Sequence, residues 1–178
     1  QIDVYHGLAD RRAVIDYGFH GVIQHVDEQV IGDLAGLVER GVTSSKVYLT
    51  YDFRLSDRAV LQVLEKMKAL GGITAFHCEN HGIVSHYRKT FASEGHTTPE
   101  YHARSRPHTA EAEAIARVIR LAETVGDVPV YIVHLSTASG LEEIRWGRER
   151  GVPVFAETCP QYLLLDEDEY EKPGLEGL

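Results

Sequence analysis

The stretch Ala75-Phe76-His77-Cys78-Glu79-Asn80, read beside Val130-Tyr131-Ile132-Val133-His134-Leu135-Ser136, decides the fold. Each is an apolar run ending in a histidine and followed by polar residues and a helix-like segment. A parallel β/α fold delivers side chains in this way to the rim where its strands end. Two histidines delivered so point to a metal site. A third stretch, Ser44-Ser45-Lys46-Val47-Tyr48-Leu49-Thr50-Tyr51, is β-branched and aromatic and lies between two helical patterns. It reads as another buried strand, running from Lys46 to Tyr51, and a lysine at the start of a buried strand needs a reason to be there.

Working outward, Asp16 to Ile23 reads as a strand, and Asp27 to Arg40 as a helix with Val30, Ile31, Leu34, Leu37 and Val38 at helical spacing before Gly41. Asp57 to Leu70 is a helix capped by Ser56, buried along Val60, Leu61, Val63, Leu64 and Met67, and stopped by Gly71-Gly72. Ile73 to His77 is the next strand. The long connection from Glu79 to Pro107 holds a helix over Ile83 to Ser93 and a short one begun by Pro99, and a connection of that length serves an active-site mouth. Thr109 to Val125 is a helix, Val130 to His134 a strand, Ser139 to Arg150 a helix and Val152 to Glu157 a fifth strand.

Strict alternation of strand and helix implies right-handed crossovers and a parallel sheet. No GxGxxG or GxxxxGK[ST] follows a strand, so a nucleotide-binding open sheet lacks its usual support. Polar residues at successive strand ends, namely Lys46 and Tyr51, His77, His134, and Glu157-Thr158, favour part of a (β/α)8 barrel, in which all loops serve one site.

The 178 residues match one domain, with 43% hydrophobic and 25% charged residues. Net charge is −9, and the scattered basic residues leave no footprint for nucleic acid or an anionic membrane. Cys78 and Cys159 have no CxxC spacing, and no signal peptide or long apolar segment is present. Both read as small fillers in a reducing cytoplasm. The first residue is Gln1, and the end after Pro173 reads as a loop, so the chain is expected to be a piece of something longer.

The segments DYGFH (16–20), SSKVYLTYD (44–52), FHCEN (76–80), PEYHARSRP (99–107), EAEAIARVI (111–119), YIVHLS (131–136) and ETCPQYLLL (157–165) together resemble the dihydropyrimidinase and hydantoinase family of the amidohydrolase superfamily. The resemblance covers nearly the whole chain in order. It implies a (β/α)8 barrel beside a small β-sandwich, with two divalent ions, usually zinc, bridged by a carboxylated lysine. It further implies hydrolysis of a cyclic ureide or imide, as in pyrimidine catabolism, by a homo-oligomer (a tetramer in the family). On it, Lys46 is the bridging lysine, His77 and His134 are metal ligands, and Tyr51 hydrogen-bonds the substrate oxygen as negative charge develops. CO2 adding to the lysine amine makes a carbamate whose two oxygens bridge two cations, and neutral imidazoles suit zinc. The cations lower the pKa of a shared water, so that hydroxide is available near neutral pH.

Taken singly, a strand-end lysine is more often a snorkelling charge, and a lone histidine more often a hydrogen-bonded one; jointly, within matching motifs, the bland explanations fail. His77 and His81 stand at i, i+4 without an HExxH, a weaker helical pair. Glu79 and Asn80 read as ligand partners or a helix cap, Arg104 and Arg106 as ion-pair formers, and the other histidines as surface residues. The family's HxH pair, its last-strand aspartate and its substrate-holding segment have no counterpart here, so the chain is expected to be barrel strands three to seven of eight, inactive alone and prone to associate through open edges. His81-Gly82 stands where the family more often has Gly-Asp. Alternatives are an allantoinase- or dihydroorotase-like amidase, a non-catalytic dihydropyrimidinase-like scaffold, which keeping Lys46, His77 and His134 argues against, and a generic parallel α/β binding module.

Overall fold

Five parallel strands stand side by side in the order in which the chain makes them. In the computed structural model, which describes residues 2–172, they are β1 (Gly21–Val22), β2 (Ser44–Tyr48), β3 (Ile73–His77), β4 (Val130–Ile132) and β5 (Val154–Ala156). This order separates the two candidate architectures. A doubly wound sheet reverses direction partway, whereas a barrel wall keeps going round. With right-handed crossovers, chain-order strands put every connecting helix on one face.

Those helices are α2 (Glu28–Glu39), α3 (Asp57–Ala69), α4 (His81–Ser93), α5 (Glu100–Arg104), α6 (His108–Thr124) and α7 (Ala138–Glu149), preceded by α1 (Ile2–Ala9). Ser56 caps α3 as expected and Asn80 caps α4, while Asp27 and Thr137 cap α2 and α7; each accepts a bond from a first-turn amide. Gly41, Gly71 and Gly151 follow the ends of α2, α3 and α7 at positive φ, the left-handed turn that only glycine enters freely.

The core lies between sheet and helices. Val47, Phe76, Val130 and Ile132 from the strands meet Val60, Val63, Leu64, Ile115, Val118, Ile119 and Ile144 from α3, α6 and α7. Cys78 is buried among them, and burial pushes its thiol well above the ordinary range, which makes it a filler and not a nucleophile.

Several expectations need correction. The strands expected over Val130 to His134 and Val152 to Glu157 are confined to Val130–Ile132 and Val154–Ala156, where the pairing with their neighbours lies, so His134 stands beyond its strand and does not end it. The strand expected over Asp16 to Ile23 is confined to Gly21–Val22, because only these two residues reach a partner strand. Lys46 is the middle residue of β2 and not its first, since pairing with β3 already begins at Ser44. Tyr51 lies beyond the strand, in a loop. Leu163 and Leu164 sit in and just after a 3-10 turn (Pro160–Leu163) and are exposed. The loop expected at residues 173–178 lies outside the described residues. Among the described residues no helix is long and apolar enough to cross a membrane.

Candidate active site

The alternation of β2 decides where Lys46 goes. Ser45 and Val47 are buried toward the helices, so Lys46 and Tyr48 face the opposite side. Register places Lys46 beside Ala75 and Tyr48 beside His77 on that face. The Lys46 ammonium nitrogen is buried with no hydrogen-bond partner among the described residues, 4.7 Å from the centre of the Tyr48 ring. Burial lowers its pKa to about 8, so the neutral amine is far more accessible near neutral pH than that of an ordinary lysine.

His77 closes β3 and stacks on Tyr48, with ring centroids 5.5 Å apart. His134 lies two residues beyond β4 with φ of 40°, a left-handed backbone that few non-glycine residues adopt, histidine with asparagine and aspartate more often than the rest. The two rings converge, His77 Nδ1 standing 2.9 Å from His134 Nε2. On its other side His77 Nε2 meets Glu79 Oε2 at 2.9 Å, and Arg106 Nε lies 3.3 Å from the second Glu79 oxygen. Burial works to raise the Glu79 carboxyl, but the His77 bond and the Arg106 guanidinium outweigh it and hold it below its ordinary value. An ionised Glu79 requires a proton on His77 Nε2, which leaves the His77 Nδ1 lone pair facing inward. Burial first, and His77 second, hold His134 below the ordinary imidazole value, in the neutral form that binds metals.

Tyr51 has φ of 71°, its loop closed by Arg54 Nη1 donating to the Tyr51 carbonyl at 2.9 Å. Its ring centroid is 5.2 Å from that of His77, and burial first, then the Glu79 charge, raise its phenol pKa, keeping it a donor. Tyr51 lines a cavity of about 280 Å³ with Thr50, Phe53, His81 and Arg106. His81 turns toward Thr50, 3.4 Å away, so it is not drawn into a pair with His77.

The donors fit a divalent cation. The buried Lys46 amine, which has no partner among the described residues, would on carboxylation become an anionic oxygen donor, and two imidazole nitrogens converge on the same face. Among the described residues no group of three or more His, Cys, Asp and Glu surrounds one point, so this donor set depends on Lys46.

No family model matches the chain. The chain is 49% identical over 171 residues to the D-phenylhydantoinases of Escherichia coli O1:K1 and of strain K12 / DH10B, a match covering 96% of this chain and 37% of theirs. Among solved structures, dihydropyrimidinase from Brevibacillus agri NCHU1002 superposes with a TM-score of 0.93 at 39% identity, over 99% of this chain and 39% of that one. The sequence belongs to the D-hydantoinase and dihydropyrimidinase family. D-hydantoinase from Thermus sp. agrees, with a TM-score of 0.92 at 35% identity over 99% of this chain and 39% of that one. L-hydantoinase from Arthrobacter aurescens, 22% identical with a TM-score of 0.81 over 88% of this chain and 35% of that one, shares the fold. The chain thus spans less than two fifths of the length of these hydantoinase relatives.

The structure brings His77 and His134 together, places Tyr51 against His77, and sets Lys46 one register step from the Tyr48–His77 pair. Sequence reasoning left Glu79 and Asn80 open between two roles. Asn80 caps α4, accepting from the Ile83 amide at 3.0 Å, and Glu79 orients His77. Glu111 was missed. It is buried on α6, where burial raises its carboxyl although Ser136 and Thr137 donate to it. Its place in the EAE repeat at the start of a helix after Pro107 was the one available signal.

Proposed function

We propose that this chain is the central part, about strands three to seven, of the catalytic barrel of a metal-dependent cyclic amidohydrolase that opens hydantoin or dihydropyrimidine rings. The observation that carries this reading is the convergence of His77 Nδ1 and His134 Nε2 on the face that also buries the partnerless Lys46 amine. The relatives, D-phenylhydantoinases and a dihydropyrimidinase, favour a hydantoin carrying an apolar substituent or a plain dihydropyrimidine over the ureido- and carboxylate-bearing rings of the allantoinase and dihydroorotase alternatives.

Lys46, once carboxylated, would hold divalent metal together with His77 and His134, zinc by the nature of these donors. Bound there, the metal would supply hydroxide near neutral pH for attack on the ring carbonyl. The chain's own residues do the rest of what is assigned here. Glu79 and Arg106 hold the His77 tautomer, and Tyr51 donates its phenolic hydrogen to the carbonyl oxygen as that oxygen gains negative charge. The carbon–nitrogen bond then breaks, the ring nitrogen takes the proton that the added hydroxyl gives up as the carbonyl carbon becomes a carboxylate, and the product is a ureido acid. A cytoplasmic setting matches two free cysteines.

By itself the 178-residue chain is assigned no turnover, since three donors do not complete a two-metal centre. The test is zinc content after exposure to zinc and bicarbonate, for the wild type and Lys46→Ala. Stoichiometric zinc that falls in Lys46→Ala is expected; zinc bound equally by both would refute the role of Lys46. Hydrolysis of dihydrouracil or hydantoin by the purified chain would overturn the assignment of inactivity.

A further inference from the structure

The EAE repeat at the start of α6 has no part in the chemistry above, yet its first turn touches both histidine-bearing loops. The Asn80 amide, three residues after His77, donates to the Ala110 carbonyl at 2.9 Å, and the Asn80 side chain reaches Glu113 at 2.5 Å. Between these anchors Glu111, 8% exposed, turns to the loop after His134. Its carboxylate accepts from the Ser136 amide at 3.0 and 3.3 Å, from the Thr137 amide at 2.8 Å and from the Thr137 hydroxyl at 2.6 Å. Every one of these groups is a donor, so the carboxylate answers a nest of N–H and O–H groups at the start of α7.

The loop it holds is strained. His134 has φ of 40°, and a non-glycine residue persists there only where the surroundings over-determine it. From the β5 side the loop is held by the Leu135 amide on the Glu157 carbonyl at 2.7 Å and by the Thr158 hydroxyl on the Leu135 carbonyl at 2.8 Å. From the helix side Glu111 is what holds it. Packing leaves no slack, since a Cβ added at Gly140 would stand 2.9 Å from Glu111 Oε2.

We propose that Glu111 is a positioning residue for the histidine pair: one turn of α6 grips the loops after His77 and His134 together, and Glu111 keeps the His134 imidazole aimed at His77. The consequence for metal binding rests on the function proposed above; the geometric claim does not.

The test uses the 178-residue chain with 15N-labelled histidine, comparing wild type, Glu111→Gln and Thr137→Val by two-bond 1H–15N spectra, circular dichroism and cobalt(II) titration. Glu111→Gln keeps the size of the side chain but presents donors where an acceptor is needed. The expected result is retained helix content, displaced His134 ring resonances, and cobalt affinity lower by about 10–100-fold. A role in stability alone would lower the melting temperature and leave the His134 resonances of the folded chain in place, and that result overturns the proposal. If Glu111→Gln does not fold, Thr137→Val decides: a smaller displacement of His134 supports the proposal and unchanged resonances overturn it. His134 displaced in a chain that binds no cobalt at all supports the role of Glu111 and removes the metal reading instead.

Discussion

His77 Nδ1 and His134 Nε2 face each other at 2.9 Å, although the two rings arrive from different strands. Two imidazole nitrogens at that distance share one hydrogen, and Glu79 on the far side of His77 decides which ring supplies it. The expected state is His77 protonated on Nε2 and His134 donating from its own Nε2. Nitrogen-15 spectra of the labelled chain near neutral pH should show these tautomers in the wild type and a mixed population for His77 in Glu79→Gln. A His77 tautomer indifferent to Glu79→Gln would show that the carboxylate does not set it.

The Lys46 amine gives stability a pH dependence with a definite sign. Its folded pKa, about 8, lies below the ordinary 10.5, so the folded state holds this proton less tightly than the unfolded chain. The contribution is therefore fully present above about pH 10.5 and is lost as the pH falls toward 8. In carbonate-free buffer, Lys46→Met should remove this slope and raise stability at pH 7 by about 1 kcal/mol, discounted for partial exposure. Urea unfolding at pH 7 and pH 10 measures it; equal slopes in the two proteins would show that the amine is not desolvated.

Much of this architecture was legible from residue order. The Ile73–His77 strand was bounded correctly and the Ser56-capped α3 to within one residue at its end, because an apolar run, a cap and a glycine stop are local signals. The delivery of His77 and His134 to one rim followed from the alternation of strand and helix. What could not be read depends on partners distant in sequence. The α1 helix buries none of its residues and so carries no core-facing stripe, and Asp16 to His20 remain irregular because no strand lies beside them. Tyr51 adopts its left-handed backbone without a glycine to announce it. The Glu111 bonds to Ser136 and Thr137 join α6 to a loop beyond the next strand, a connection no periodicity encodes.

Two glycines should respond oppositely to alanine. Gly36 is exposed inside α2, and an added Cβ there meets nothing within 4 Å, so Gly36→Ala should stabilise the chain by about 0.5–1 kcal/mol through helix propensity. Gly72, entering β3, would place its Cβ 2.7 Å from the Thr43 carbonyl oxygen and against the Met67 methyl. Backbone cannot yield as a side-chain end can, so Gly72→Ala should destabilise by about 1–3 kcal/mol. Denaturant midpoints of the two variants test the packing of this edge of the core, and a neutral Gly72→Ala would mean that β3 starts less tightly against the Thr43 carbonyl.

The sheet face opposite the helices carries its own prediction. Val22, Lys46, Ala75, Tyr131 and Phe155 are register neighbours across all five strands, and the two outermost, Val22 and Phe155, are 54% and 50% exposed. Among the described residues β1 and β5 each pair on one side only, so their other edges present backbone donors and acceptors next to apolar side chains. Burying such an edge against a second copy satisfies both, and the 178-residue chain is expected to form dimers or larger species. Size-exclusion chromatography with light scattering should give a mass above that of one chain, decreasing with dilution. Phe155→Lys places a charge at one edge and should shift the population toward monomer. A wild type that elutes as a clean monomer at all concentrations would mean that these edges are covered within the chain itself.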